Sequence, residues 1–437
     1  MKKPALLIMA HQGRSYIKLL QKHLDELNVT CLVVSSIPRS DADLKLLQQH
    51  SEQVWVTDQH AITEDDLFSV LALAQKDYEI LSVLATFEAY RLLMAKANAT
   101  LGHTDADPQA LALCMDKLAC RQKLFALNLS KVDSRLIANE ADLDALHKSQ
   151  SAYFIKPRRG AGSFACFKLT PELNIKKLQE LEQQMRHDKQ FSAIFNGMFD
   201  FMAESYIHGD EYSFETIVLN DDAYVIGVHA KYLEESKGTT LEVSNSLPAT
   251  TLSDEQQRSG EQFIRQCIRG LGLSQGAYHI ETRFNAQSDE WEIIEINARM
   301  GGALINQSVE TFTEGESILK LWVELLCTTQ SQQRLADKLS ALTESHRRAK
   351  ALVKTGSVFI SRYGEPGKTL LHFSAESIPT QPDIIDMPIP LGTQLPKSDR
   401  GIFLCNALWK VAIDDLANAL TYLPTQFDEH IEVAYAD

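Results

Sequence analysis

At 437 residues the chain is longer than one ordinary hydrophobic core accommodates, and its length suggests about two to four domains. Lys and Arg total 43 against 58 Asp and Glu, so the formal net charge is −15; this excludes a nucleic-acid or anionic-membrane partner held by a generally basic surface and leaves room only for a local basic pocket. The seven cysteines (Cys31, Cys114, Cys120, Cys166, Cys267, Cys327, Cys405) are scattered without a C-x-x-C, as in a reduced chain and unlike a disulfide scaffold or zinc module. The N-terminal apolar run is too short for a signal-peptide core, and no run approaches the roughly 18 apolar residues of a membrane span. A cytoplasmic, enzyme-sized protein is expected.

The first hundred residues alternate short apolar runs with helical patterns: ALLIMA, SYIKLLQKHLDEL, TCLVVSS, SDADLKLLQQH, QVWVT, a helix over 64–76, ILSVLATFE and AYRLLMAKANATLG. Strands spaced by helices imply a parallel, doubly wound sheet, with ligands at the carboxyl ends of its strands. His11, Gly13 and Arg14 follow the first strand and Glu88 the fourth, as substrate walls or as ordinary loop residues.

From Pro108 the texture changes. A single helix is expected over Pro108–Leu127, then YFIKPRRGAGSFACFKL as two strand-like runs around a basic, glycine-containing turn. Further strands follow in FMAESYIHGDEYSFETIVLN and DAYVIGVHAKYL, a helix near 254–271, and a hairpin in GAYHIETRFNAQSDEWEIIEINARMGG with NAQSDE as its turn. Residues 313–327 read as helical, 328–350 as a polar connector, and the remainder as a small α+β region.

Two glycine motifs fail on context. Gly160, Gly162 and Ala165 approach a dinucleotide fingerprint, but the next segment is strand-like where that fingerprint must open a helix. GEPGKTL lacks the upstream glycine of a phosphate-binding P-loop, since Arg362 holds that place. Neither H-E-x-x-H nor G-x-S-x-G occurs, so covalent Ser or Cys catalysis has no support.

In EIIEINARMGG, Glu295, Asn297 and Arg299 recur every second residue, so one strand face would carry all three while Ile294, Ile296 and Ala298 point the other way. Such a row suits a metal and an anion; a water-facing amphipathic strand has the same pattern. Lys156 followed by PRRGAG is either a surface hairpin or a flap whose three cations and glycine amides close over polyphosphate. Glu204 and Glu211 supply strand-end carboxylates for adenine and ribose, and Glu281 beside Glu295 and Asn297 gives oxygen ligands for Mg2+.

Taken in order, CMDKLACRQKL, YFIKPRRGAGS, ESYIHGDEYS and HIETRFN…WEIIEINARMGG resemble the ATP-grasp superfamily of carboxylate–amine ligases, and the flanking regions look most like its L-amino-acid ligase branch, which makes dipeptides. The resemblance implies an α/β and α+β multidomain fold: an N-terminal doubly wound domain (1–112), a central ATP-grasp domain (113–330) with a flap at about 150–225, and a C-terminal lid (331–437). It implies ATP and Mg2+ as cofactors, two ions in number with Mn2+ as an alternative, small carboxylate and amine substrates, no nucleic acid or membrane, and a homodimer. Carried over by position, Lys117 and Lys156 contact ATP phosphates, Glu204 with the Tyr206 and Ile207 backbone receives adenine, Glu211 lies on the ribose or metal side, and Lys231 matches a T-E-K lysine. Glu281, Glu295 and Asn297 match the Mg2+ ligands, Arg299 the arginine facing the transferred phosphoryl group, and Gly301 and Gly302 the loop beside the substrate; Glu88, after the fourth strand, and Met300, beside the glycines, are expected to face the substrate as well.

One stretch departs. Dipeptide-forming members carry E-x-G-H-x-x-P where this chain has EVSNSLP, so Glu242 and Pro248 are retained but Asn245 replaces the histidine and cannot act as a base near neutral pH. A biotin-carboxylase-like or purine-pathway ligase and a catalytically silent nucleotide sensor remain the alternatives; no MKM biotin-carrier tripeptide is present.

Overall fold

The computed structural model describes residues 2–103, 105–149, 151–188, 192–236, 239–328, 332–397 and 401–436. Strands β1 (Lys3–Ala10), β2 (Thr30–Ser35), β3 (Gln53–Val56) and β4 (Tyr78–Ala85) form a parallel sheet in the order β3-β2-β1-β4. The continuous apolar runs of β1, β2 and β4 bury both faces, as a parallel sheet between helices requires. Helix Ile318–Cys327, with Trp322 fully buried, packs into this core from far along the chain.

A second, antiparallel sheet of β5 (Ser134–Ile137), β6 (Tyr153–Pro157), β7 (Phe167–Lys168) and β8 (Phe201–Ser205) runs β5-β8-β6-β7. It has its own core of Ile155, Phe164, Leu181 and Phe195. Of the strand expected in SFACFKL, only Phe167–Lys168 pairs; positive φ at Ser163 and Ala165 turns the preceding backbone out of extended conformation.

Strands β9 (Asp210–Leu219), β10 (Asp222–Ser236), β11 (Thr239–Leu247), β12 (Gly276–Asn285), β13 (Glu290–Asn297), β14 (Thr355–Tyr363), β16 (Ile384–Asp386) and β17 (Phe403–Ala412) build an eight-stranded antiparallel sheet, β13-β12-β9-β10-β11-β14-β17-β16; β15 (Thr369–Ser374) and β18 (Glu432–Ala436) pair separately. The large sheet thus continues past position 330 through β14, β17 and β16, and β9 belongs to it and not to the flap sheet. The two antiparallel sheets are joined by residues 206–209. Gly209 there has φ +119°, and a Cβ on it would fall 2.2 Å from the Phe284 carbonyl oxygen, so this hinge admits only glycine.

Two helical expectations change. The segment Pro108–Leu127 is two helices, Pro108–Met115 and Lys117–Ala126, because Asp116 leaves helical conformation and caps the second, accepting from the Leu118 and Ala119 amides. The connector at 328–350 contains helix Gln332–Arg347, which buries Leu335, Leu339, Thr343 and His346 on one stripe; residues 329–331 lie outside the described residues.

Candidate active site

A cleft separates the flap sheet from the large sheet. Each wall is set by strand register. Glu211 on β9 lies opposite Lys231 on β10 and Arg283 on β12, while Glu281 on β12 faces Glu295 on β13. The Asp116 cap starts its helix so that Lys117 enters the cleft, and β6 and β8 deliver Lys156 and Glu204 from the flap side.

Lys156 and Glu204 form a buried ion pair, and Arg121 approaches the same carboxylate at 3.3 Å. Burial raises the Glu204 carboxyl, but the Lys156 and Arg121 charges outweigh it and hold it below its ordinary range. Arg121 was not foreseen. It also binds Glu292 at 2.8 Å and the Ile293 carbonyl, locking helix Lys117–Ala126 to β13. At the hinge the Ile207 carbonyl accepts from Arg283 at 2.6 Å, and the Tyr206 ring lies under the same guanidinium at 5.3 Å.

Lys231 is the centre of a second cluster. Its ammonium touches Glu281, lies 3.0 Å from Glu242 and 3.7 Å from Glu211, and is almost wholly buried. Burial disfavours its charge, yet Glu242, Glu281 and Glu211 together raise its pKa well above the usual lysine range. Glu211 also pairs with Arg283 at 3.2 Å; burial and the neighbouring Glu281 and Glu242 charges push its own pKa up.

On β13 the Glu295 carboxylate lies 3.1 Å from Lys117 and accepts from Asn297 Nδ2 at 3.0 Å. Arg299 donates to Glu88 at 3.2 Å and to the Met300 carbonyl at 2.9 Å. The strict alternation expected in this stretch is broken. Thr282 pairs with Ile293 and Glu281 with Glu295, so Ile294 is an extra, bulged residue, and both it and Glu295 face the cleft. Behind Glu281, His279 donates to it at 3.3 Å and to the buried Glu215 at 2.7 Å. Burial opposes the imidazolium, but Glu215 and Glu281 raise its pKa to about 9.

Met300 departs from its expected place on the substrate side: it is 2% exposed and packs into the core under the N-terminal sheet. Gly301 fits a close approach, since a Cβ there would fall 2.4 Å from Ile305 and 3.0 Å from His279 Nδ1, whereas Gly302 has open space. Asn245 is fully buried, donates Nδ2 to Glu242 at 2.7 Å and leaves Oδ1 without a partner. The flap's three cations do not act together: Lys156 is committed to Glu204, and Arg158 to Asp116 and, at 3.5 Å, to Asp200.

For a divalent cation, Glu281 and Glu295 are two hard carboxylate donors on facing strands, suited to Mg2+; Asn297 turns its Nδ2 to Glu295, and its Oδ1 accepts from Arg299 at 3.4 Å. Among the described residues no group of three or more His, Cys, Asp or Glu is arranged to hold a metal, so Asn297 and bound ligand oxygens would complete any such set.

Residues 150–307 match the family model described as the ATP-grasp domain. The whole chain superposes on an L-amino acid ligase from Bacillus licheniformis (TM-score 0.75, 17% identity, 100% of each chain covered). It is also similar to a phosphoribosylglycinamide synthetase from Anaerococcus prevotii (TM-score 0.66, 14% identity, 99% of this chain and 100% of that one) and a biotin carboxylase from Campylobacter jejuni (0.65, 12%, 98% and 92%). At these identities the likeness is one of fold. In sequence the chain is 21% identical over 277 residues to the uncharacterized protein y4rH of Sinorhizobium fredii, a match covering 62% of this chain and 54% of the relative's length, about half of it. No helix among the described residues is long and apolar enough to cross a membrane.

Proposed function

We propose that the protein is an ATP-dependent carboxylate–amine ligase that joins amino acids or amino-acid-like substrates through an acyl phosphate, releasing ADP and phosphate. The observation that carries the proposal is the facing pair Glu281 and Glu295 in one cleft with Lys117, Lys156 and Lys231. Each ammonium is neutralised by a cleft carboxylate, so polyphosphate can take the lysines and a divalent cation the carboxylates by exchange of partners.

In this reading adenine lies by the 206–209 hinge beside Glu204 and Ile207, Glu211 and Lys231 face the sugar and phosphates, and Lys117 and Lys156 bind phosphate oxygens. Mg2+ on Glu281, Glu295 and Asn297 would neutralise the polyphosphate. Arg299, oriented by Glu88, holds the substrate carboxylate for attack on the γ-phosphorus; positioning and charge neutralisation carry most of the catalysis because both reactants are anions. The flap covers the acyl phosphate from water until the amine attacks. Glu242 faces the amine side, with the buried Asn245 behind it donating to its carboxylate; with Asn245 in place of an imidazole, the substrate amine must lose its proton elsewhere.

The test is phosphate release from ATP and Mg2+ across a matrix of amino acids offered singly and in pairs, with mass spectrometry on the positives. Pair-dependent release with a condensed product is expected. Release that depends on bicarbonate alone would place the chain with the carboxylases and remove the dipeptide reading.

A further inference from the structure

Nearly every buried or half-buried cation around the cleft has a carboxylate: Lys117 has Glu295, Lys156 and Arg121 have Glu204, Lys231 has three partners, Arg283 has Glu211, Arg299 has Glu88, and Arg158 has Asp116. Arg159 is the exception. It is 6% exposed, its Nε is enclosed without a partner, and among the described residues its guanidinium makes no ion pair or hydrogen bond. An unpaired buried charge is costly to hold and is retained where something else compensates it.

Its place in the fold indicates what that is. Arg159 precedes Gly160, whose carbonyl accepts from Lys117 Nζ at 3.1 Å at the edge of the cleft. The carboxylates of Asp116 and Glu88 act on it through space, and Glu88 also faces Arg299 and acts on Lys117. Asp116 is already bound to Arg158 and Glu88 to Arg299, so neither is free to neutralise it. Helix Ser192–Phe195 of the flap packs on the Glu88–Tyr90 turn, which keeps this side of the flap against the N-terminal domain and away from the adenine end.

We infer that Arg159 is an oxyanion-binding residue on the substrate side of the cleft, taking the carboxylate that is activated or the phosphoryl group transferred to it, and not the diphosphate of the nucleotide. The guanidinium fork suits both oxyanions, so their shared chemistry is what the side chain recognises. The inference rests on the ligase reading for what supplies the anion. The unpaired charge itself stands without that reading.

The experiment is thermal unfolding of wild type, Arg159→Gln and Arg159→Lys, first ligand-free, then titrated with ADP and Mg2+, and then, with ADP and Mg2+ saturating, titrated separately with inorganic phosphate and with acetate. For Arg159→Gln the expected result is a ligand-free Tm equal to or above wild type, an unchanged ADP midpoint, and a shift of about tenfold or more in the midpoint for phosphate, acetate or both. The anion whose response is lost identifies the group bound. Unchanged phosphate and acetate responses, no response to either in wild type, or a tenfold loss of ADP affinity would each overturn the assignment. Should Arg159→Gln fail to fold, Arg159→Lys keeps the charge without the fork and is expected to weaken the same anion several-fold. If wild type fails to bind ADP, the nucleotide reading falls, while the phosphate titration without ADP still tests Arg159.

Discussion

The Lys117 ammonium lies 3.1 Å from the Glu295 carboxylate, across a cleft where both are largely shielded from water. Burial disfavours the lysine charge, but Glu295 and Glu88 raise its pKa above the usual range, so it stays cationic at neutral pH. In the proposed reaction the two separate, one to phosphate and the other to a divalent cation. Glu295→Gln and Lys117→Met are each expected to cost about 10²- to 10³-fold in phosphate release while the fold is kept, measured against unchanged circular dichroism. Retained turnover in Glu295→Gln would remove it from the metal set.

Lys231 serves stability as well as the site. With three carboxylates around one buried ammonium, Lys231→Met leaves Glu242, Glu281 and Glu211 to repel one another. The expected loss is about 3–5 kcal/mol in denaturant unfolding. Lys231→Met with Glu242→Gln should recover part of it, since one repelling charge is gone. A single mutant as stable as wild type would contradict this.

Arg91 ties the N-terminal domain to the end of β13. It is fully buried, binds Asp105 and donates Nε to the Ala298 carbonyl at 3.0 Å, one residue before Arg299. Arg91→Met strands a buried carboxylate and frees that carbonyl. A loss of about 3–5 kcal/mol is expected, with Asp105→Asn plus Arg91→Met milder than Arg91→Met alone in the same assay.

A pH dependence follows from His346, which is 1% exposed, within 3.0 Å of Gln257 Nε2 and without a partner on Nδ1. Burial, with the His229 and Arg347 charges adding to it, holds its pKa down at about 3, against 6.5 unfolded. The folded state therefore binds fewer protons than the unfolded state between those values, and stability present above pH 6.5 is lost as pH falls toward 3. His346→Gln should flatten this acid limb in unfolding titrations while changing stability less at pH 8; an unaltered limb would place its origin elsewhere.

Much of this was legible locally. The apolar runs of β1, β2 and β4 between helical patterns fixed a parallel sheet, and the two-residue spacing of Glu295 and Asn297 marked β13 as a strand. The bulge at Ile294 was not legible, because it depends on which residue of β12 lies opposite. Nor was the union of the central sheet with β14, β17 and β16, a pairing across more than a hundred residues. Arg121 left a signal that could have been read: it falls on the buried stripe Leu118, Arg121, Leu124, where a charge requires a buried partner. Leu335, Leu339 and Thr343 recur at four-residue spacing, which marks as helical the segment read as a connector.

The central claim is that a carboxylate attacks the γ-phosphorus of ATP. It is tested most directly by incubating the protein with ATP, Mg2+ and the common amino acids carrying 18O in their carboxyl groups, and measuring the mass of the released phosphate. An acyl phosphate transfers one carboxyl oxygen to each phosphate set free, so singly 18O-labelled phosphate is the expected result. Phosphate released without label would show that no amino-acid carboxylate is the attacking group, and would contradict the account.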